Sequence, residues 1–284
     1  MPTKHFDVAV RAGAVHVVDT GGAGLPLVLL HGSGASAQCF YKQWGGAPAF
    51  DRRIIAMDLP GHGQSDDARD PKTNYTVGGF ADTVQEVLTR LSVSRAAFVG
   101  WSLGGHVVIE LMQRGNLIAA ALLTGTPPLA PGMVGSLRAF TMSFDVLLAS
   151  KEAYSEKDID RFDTLCFDDQ GHPSFRKAIA RADGRFRPIF SKDLTRNKDQ
   201  RATVLAADIP ILFVNGSNDP FLRLSYLTGL KLRQPVAGGV VTIPGAGHAP
   251  FWTHPTAFNV LLGKFLNAVD AHEAAVAKPV RAAS

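Results

Sequence analysis

The chain predicts an α/β fold: a mostly parallel sheet, helices on both faces, and a helical insertion over one end. Three observations carry this. Short apolar runs at 25–30, 53–57, 96–99 and 117–123 alternate with stretches whose apolar residues recur at helical spacing. One run passes straight into Gly100-Trp101-Ser102-Leu103-Gly104, a glycine-rich turn that opens a helix-patterned segment. Between about 126 and 201 the strand-like runs vanish, charged helical periodicity replaces them, and the alternation resumes at 209–214.

Taken in order, residues 6–10 and 15–18 alternate apolar and polar around Ala12-Gly13, which predicts an antiparallel hairpin at a sheet edge. The buried strand at 25–30 runs into His31-Gly32-Ser33-Gly34. The strand at 53–57 ends in a Pro60-Gly61 turn, where Asp58 and His62 serve local hydrogen bonds. Phe80, Val84, Val87, Leu88 and Leu91 mark one helix face, and Val107, Val108, Leu111 and Met112 another. A helix over 222–230, a last strand at 239–243 and a helix over 257–269 close the fold. The predicted division is a core of 1–125 and 202–270, a helical cap of 126–201, and a mobile alanine-rich tail of 271–284.

Of the 284 residues, 46% are hydrophobic, enough for a large core. The net charge of +4 is spread along the chain, and aromatics do not interleave with the basic cluster at 181–187 in the way a nucleic-acid surface requires, Phe186 being a single ring there. Cys39 and Cys166 lack metal-ligand spacing and predict two buried thiols. The first residues lack the apolar region of a signal peptide, and no apolar run reaches a membrane span. The expectation is a soluble cytoplasmic protein without membrane or nucleic-acid partners.

The chemistry starts at Ser102. A strand-to-helix turn this sharp forces the serine into a strained backbone, and glycines two before and two after remove side chains that would collide. The Leu103 N–H then lies at a helix N-terminus, aimed at a developing oxyanion, and the Ser33 N–H is the candidate second donor. In a parallel sheet, ligands bind beyond the carboxyl ends of the strands. Ser102, Asp219 and His248 each follow a strand and so fall on that edge. Asp208 precedes its strand. His106 points sideways from the serine, and His254 stands near a helix start. These expectations assign Ser102 as nucleophile, His248 as general base and Asp219 as its orienting acid, with no metal or organic cofactor. His31, Gly32 and Trp101 flank the donors and are candidate substrate-binding residues, although His31 also suits a bracing role in its loop.

With these residues in hand, the chain resembles the α/β-hydrolase superfamily along most of its length. The resemblance rests on His31-Gly-Ser-Gly34, Asp58-Leu-Pro-Gly-His-Gly63, Gly100-Trp-Ser-Leu-Gly104, Asn215-Gly-Ser-Asn-Asp219 and Gly247-His248. Within it, the chain is similar to N-acyl-homoserine lactonases of the AidH-like group. That similarity lies in Gly100-Trp-Ser-Leu-Gly-Gly-His106, Thr124-Gly-Thr-Pro-Pro128, Arg181-Ala-Asp-Gly-Arg185, residues 215–221 and Ala246-Gly-His-Ala-Pro-Phe251. It implies opening of a homoserine lactone ring and quenching of that signal. Phe140, Phe144 and Phe162 are then candidate contacts for an acyl chain, with packing inside the cap as the alternative. Two departures stand out. The acid is Asp219 where that group can carry Glu. His31-Gly32 is followed by Ser33-Gly34, a variant also seen in C–C hydrolases of aromatic ring-cleavage products. Those substrates carry a carboxylate, which Arg138, Arg185 or Arg187 could meet. A cofactor-free perhydrolase and a ligand receptor without turnover complete the alternatives.

Overall fold

The structure, a computed structural model, describes residues 2–45, 52–141, 143–196 and 199–277, without the side chains of Phe144 and Val146. The core runs β1 (Lys4–Val10), β2 (Gly13–Asp19), β3 (Leu27–Leu30), α1 (Tyr41–Trp44), β4 (Ile54–Met57), α2 (Pro71–Asn74) and α3 (Val77–Arg90). Then come β5 (Ala96–Trp101), α4 (Leu103–Leu111) and β6 (Ile118–Thr124). Between β6 and the next strand lie α5 (Gly132–Ala139), α6 (Glu156–Phe167), α7 (Pro173–Arg181), α8 (Phe186–Leu194) and α9 (Gln200–Ala206). The chain closes with β7 (Ile211–Gly216), α10 (Leu224–Thr228), β8 (Pro235–Ile243), α11 (Pro250–Thr253) and α12 (Pro255–Val276).

The strand order is β1-β2-β4-β3-β5-β6-β7-β8. β1 pairs antiparallel with β2, and β2 with β4; every other neighbour is parallel. The expected edge hairpin is therefore present, on an otherwise parallel sheet. The chain lays β4 on one side of β3 and β5 on the other. That reversal opens a crevice at the carboxyl ends of β3 and β5, the usual ligand position of such sheets.

Each central strand is apolar on both faces because helices cover both. Along β3, Leu27 and Leu29 pack into one core, while Val28 and Leu30 pack into the other. β5 divides likewise, with Ala96 and Phe98 on the α3–α4 side and Ala97, Val99 and Trp101 on the α12 side. The helices between β6 and β7 bridge both cores over the strand ends. Phe162, Cys166 and Phe175 join the α12 side, and Phe186, Phe190 and Val204 join the α3–α4 side.

Local sequence explains several element ends. Thr76 accepts the Gly79 N–H as the N-cap of α3. Ser155 and Asp158 form a reciprocal capping box at the start of α6. Two boundaries differ from expectation. α9 packs on α4, so its start at Gln200 belongs with the core. α12 continues to Val276, into the segment expected to be a mobile tail, because Val269 is buried and Arg95 forms an ion pair with Glu273 further along. Residues 278–284 lie outside the described residues. Among the described residues, no helix is long and apolar enough to cross a membrane.

Candidate active site

Ser102 sits between β5 and α4 with φ 52° and ψ −116°. This is a left-handed conformation that costs roughly 1–3 kcal/mol and persists only where surroundings impose it. The surroundings are visible. A Cβ on Gly100 would come 2.6 Å from Gly105 Cα, and one on Gly104 would run into the Leu30 carbonyl. The Ser102 N–H donates to the Thr124 carbonyl, and the Thr126 hydroxyl donates to the Ser102 carbonyl. Leu103 is the first residue of α4, so its N–H has no acceptor within the helix. Ser33 and Leu103 both line the cavity that Ser102 faces.

Asp219 follows β7 and His248 follows β8. His248 Nδ1 lies 2.8 Å from Asp219 Oδ2, with both side chains buried. The other oxygen, Asp219 Oδ1, accepts the Phe221 and Leu222 N–H groups at 2.9 and 3.2 Å. Three donors thus hold the carboxylate, and Nδ1 is the donating nitrogen of the imidazole. The two loops are tied together, since the Asn218 N–H donates to the Ala246 carbonyl. Trp101 Nε1 donates to the His248 carbonyl at 3.0 Å and fixes that loop against β5. Gly125 leaves room for the ring: a Cβ there would lie 2.6 Å from His248 Cε1. From the insertion, the Asp168 carboxylate packs against Gly247, and burial raises its pKa.

Ser102, His248, Ser33 and Leu103 share one cavity of about 290 Å³. Ser102 Oγ has no hydrogen-bond partner among the described residues, so the serine and the imidazole face the same space without yet being joined. The wall is mostly apolar. Trp101, Phe140 and Phe162 line it, as do Phe186, Phe190 and Phe221. No charged side chain is among the described lining residues. Among the described residues, no cluster of His, Cys, Asp and Glu is arranged to hold a metal.

The candidates separate as follows. Trp101, Phe140 and Phe162 line the cavity; the Phe144 side chain lies outside the described residues. His31 does not line it. The ring is fully buried, Nδ1 donates to the Gly32 carbonyl and Nε2 accepts the Leu59 N–H, so both nitrogens are engaged in bracing the loop. Gly32 contributes space: a Cβ there would touch Trp101 at 2.9 Å and Ser102 Cβ at 3.2 Å. Asp58 accepts the Ala37 and Gln64 N–H groups, the structural role expected of it. Cys39 and Cys166 are buried and free.

His106 corrects the sequence reading. Expected to point sideways from the serine, it lines the cavity, with Nδ1 2.8 Å from Gln200 Oε1. Burial lowers its pKa to about 4, so the ring is neutral. Its place in the first turn of the helix after the serine is the one sequence feature that puts it near the site. Gln200, 94 positions away in the chain, carries no such signal.

The arginines that could have met a substrate carboxylate are elsewhere. Arg185 pairs with Asp183, Arg187 is buried over the Tyr154 ring, and Arg138 is exposed on α5.

Comparison with known proteins agrees with this architecture. The chain is 30% identical over 260 residues to the pimeloyl-[acyl-carrier protein] methyl ester esterase of Pectobacterium atrosepticum, covering 84% of this chain and 93% of that one. It is 26% identical over 255 residues to the AB hydrolase superfamily protein YisY of Bacillus subtilis, covering 87% and 93%. Among solved structures, a mutant of the N-acyl homoserine lactonase AidH complexed with N-hexanoyl homoserine lactone superposes with a TM-score of 0.89 at 34% identity. The superposition covers 94% of this chain and 98% of that one. The profile of the Alpha/beta hydrolase family matches residues 27–260, and the chain belongs to that family.

Proposed function

We propose that the protein hydrolyses carboxylic esters through Ser102, His248 and Asp219, and that its substrate is the lactone ring of an N-acyl-homoserine lactone. The observation that carries this is the Asp219–His248 hydrogen bond, which holds His248 in the wall of the cavity that also contains Ser102, a serine held in a strained turn. The similarity to the lactonase AidH supports the choice of ester.

The roles follow from the geometry. Because Nδ1 donates to Asp219, Nε2 is left as the base. The hydrogen bond from Ser102 Oγ to Nε2 forms with substrate in place, as catalytic contacts tighten in the Michaelis complex. Ser102 Oγ attacks the lactone carbonyl while its proton passes to Nε2. The Leu103 and Ser33 N–H groups hold the oxyanion, each worth about 2.7–4 kcal/mol of transition-state stabilisation. The ring C–O bond then breaks, and His248 returns the proton to the leaving alkoxide, which stays tethered to the acyl-enzyme. Water, deprotonated by His248, releases the N-acyl-homoserine and restores Ser102. Such a reaction silences an acyl-homoserine lactone signal.

That no charged side chain is among the described lining residues favours a neutral substrate. Placing a carboxylate against apolar groups without a partner costs several kcal/mol, which disfavours the C–C hydrolase alternative. The test is a substrate panel of acyl-homoserine lactones, aryl esters and a ring-fission product, with turnover followed by proton release. Lactone opening that disappears in Ser102→Ala is the expected result. Turnover of the ring-fission product alone refutes the proposal.

A further inference from the structure

We propose that His106 is a specificity residue whose Nε2 accepts a hydrogen bond from an amide N–H on the carbon next to the scissile carbonyl. The site then selects α-amido lactones over lactones that lack this donor. The inference rests on the lactone reading above and names the feature of that substrate which the cavity recognises.

His106 lies in the first turn of α4, four positions after Ser102, and both side chains line the same cavity. Gln200 decides the tautomer. Its Oε1 accepts the Leu129 N–H at 3.4 Å, which identifies that atom as the amide oxygen. His106 Nδ1, 2.8 Å from the same oxygen, therefore carries the proton, and Nε2 presents a lone pair. His106 is 4% exposed and lines the cavity. Nε2 of His16 and of His62 is sealed inside the protein without a partner. Among the described residues Nε2 of His106 also lacks a partner but is not among the sealed atoms, so it opens onto the cavity.

An acceptor facing a mostly apolar wall, with Leu103, Leu129 and Phe190 among its lining, loses water when substrate enters, and is left unmatched unless the substrate brings a donor. In an N-acyl-homoserine lactone, the carbon bonded to the reacting carbonyl carries the amide nitrogen. Its N–H is therefore two bonds from the carbon that Ser102 attacks, within the reach of a side chain one turn along the helix. The ring needs no proton exchange to do this, since burial keeps it neutral.

The test compares kcat/KM for ring opening of N-hexanoyl-homoserine lactone and of its ester isostere, in which oxygen replaces the N–H. Wild type should prefer the amide by about tenfold or more. His106→Asn places an amide nitrogen where Nδ1 stands, keeping the Gln200 bond and removing the inner acceptor; its preference should fall close to one. His106→Gln places an oxygen near the Nε2 position and should retain the preference. A purely structural role predicts that both variants change the two substrates alike, and an unmoved ratio overturns the proposal. A ratio unmoved in Asn with a selective loss on a 3-hydroxyacyl lactone overturns it as well, by giving Nε2 to the acyl chain. Equal opening of both lactones by wild type overturns the inference and leaves the lactonase reading standing. If wild type opens neither, both fall.

Discussion

Ser102 and Asp219 were legible in the sequence for different reasons. The serine shows itself by its glycines, which only a strained turn needs. The aspartate shows itself by position alone, as an acid after a strand end. Removing the hydroxyl in Ser102→Ala should lower kcat for lactone opening by at least about 10⁴-fold, leaving the catalysis of oxyanion donors and binding. Asp219→Asn should lose a similar factor, about 10⁴, because an amide can donate to Nδ1 and leave the wrong nitrogen as base. Steady-state kinetics on one lactone checks both, and wild-type kcat in Asp219→Asn refutes the orienting role. His31 holds the bracing role that its loop position suggested, whereas His106, expected to point sideways from the serine, lines the cavity. His31 stands beside the donor loop and spends both nitrogens on backbone groups, whereas His106 turns toward the cavity once Gln200 holds its other nitrogen. A histidine's partners come from distant segments, so its local sequence does not reveal which of its nitrogens is free.

The strands and the turns between them were the most readable elements. Apolar runs of four to seven residues mark β3, β4, β5 and β6, because a strand covered on both faces has no polar side to present. Element ends were less readable. α12 outlasts its clearest amphipathic stretch because the Arg95–Glu273 ion pair holds its last turns, and that pair joins positions 178 apart. One turn carries a prediction. Gly125, at φ 61°, packs against the His248 ring, so Gly125→Ala adds both backbone strain and a Cβ 2.6 Å from Cε1. A displacement of the imidazole by about 1 Å should cost roughly 10²-fold in kcat. Circular dichroism and kinetics together check this. A folded Gly125→Ala enzyme with wild-type kcat shows that the contact does not position the ring.

Taken together, the molecule buries histidines that must stay neutral. The pKa of His106 falls from 6.5 to about 4 through burial. Burial also depresses His62 well below its ordinary value, and lowers His31. Between the two His106 values the unfolded chain binds the proton that the folded chain refuses. Stability is therefore full above about pH 6.5 and declines as pH falls toward 4. His106 alone accounts for about 2 kcal/mol by pH 5, with His62 and His31 adding to the same slope. Urea midpoints at about pH 7.5 and 5 measure this, and His106→Gln should flatten the difference. A midpoint that does not move across the window contradicts it.

The sequence by itself determined the alternation of strands and helices, the strained serine turn, and the strand ends after which Asp219 and His248 stand. These depend on short-range causes: side-chain periodicity, glycine sterics, and the rule that parallel strands present their carboxyl ends on one edge. Only the tertiary structure decided which side chains wall the cavity, that none of those described is charged, and that His106 faces inward. Those outcomes depend on pairs such as His106 with Gln200 and His31 with Leu59, whose members meet only after the chain has folded. Burial then sets what each nitrogen does, and burial is a property of the assembled interior.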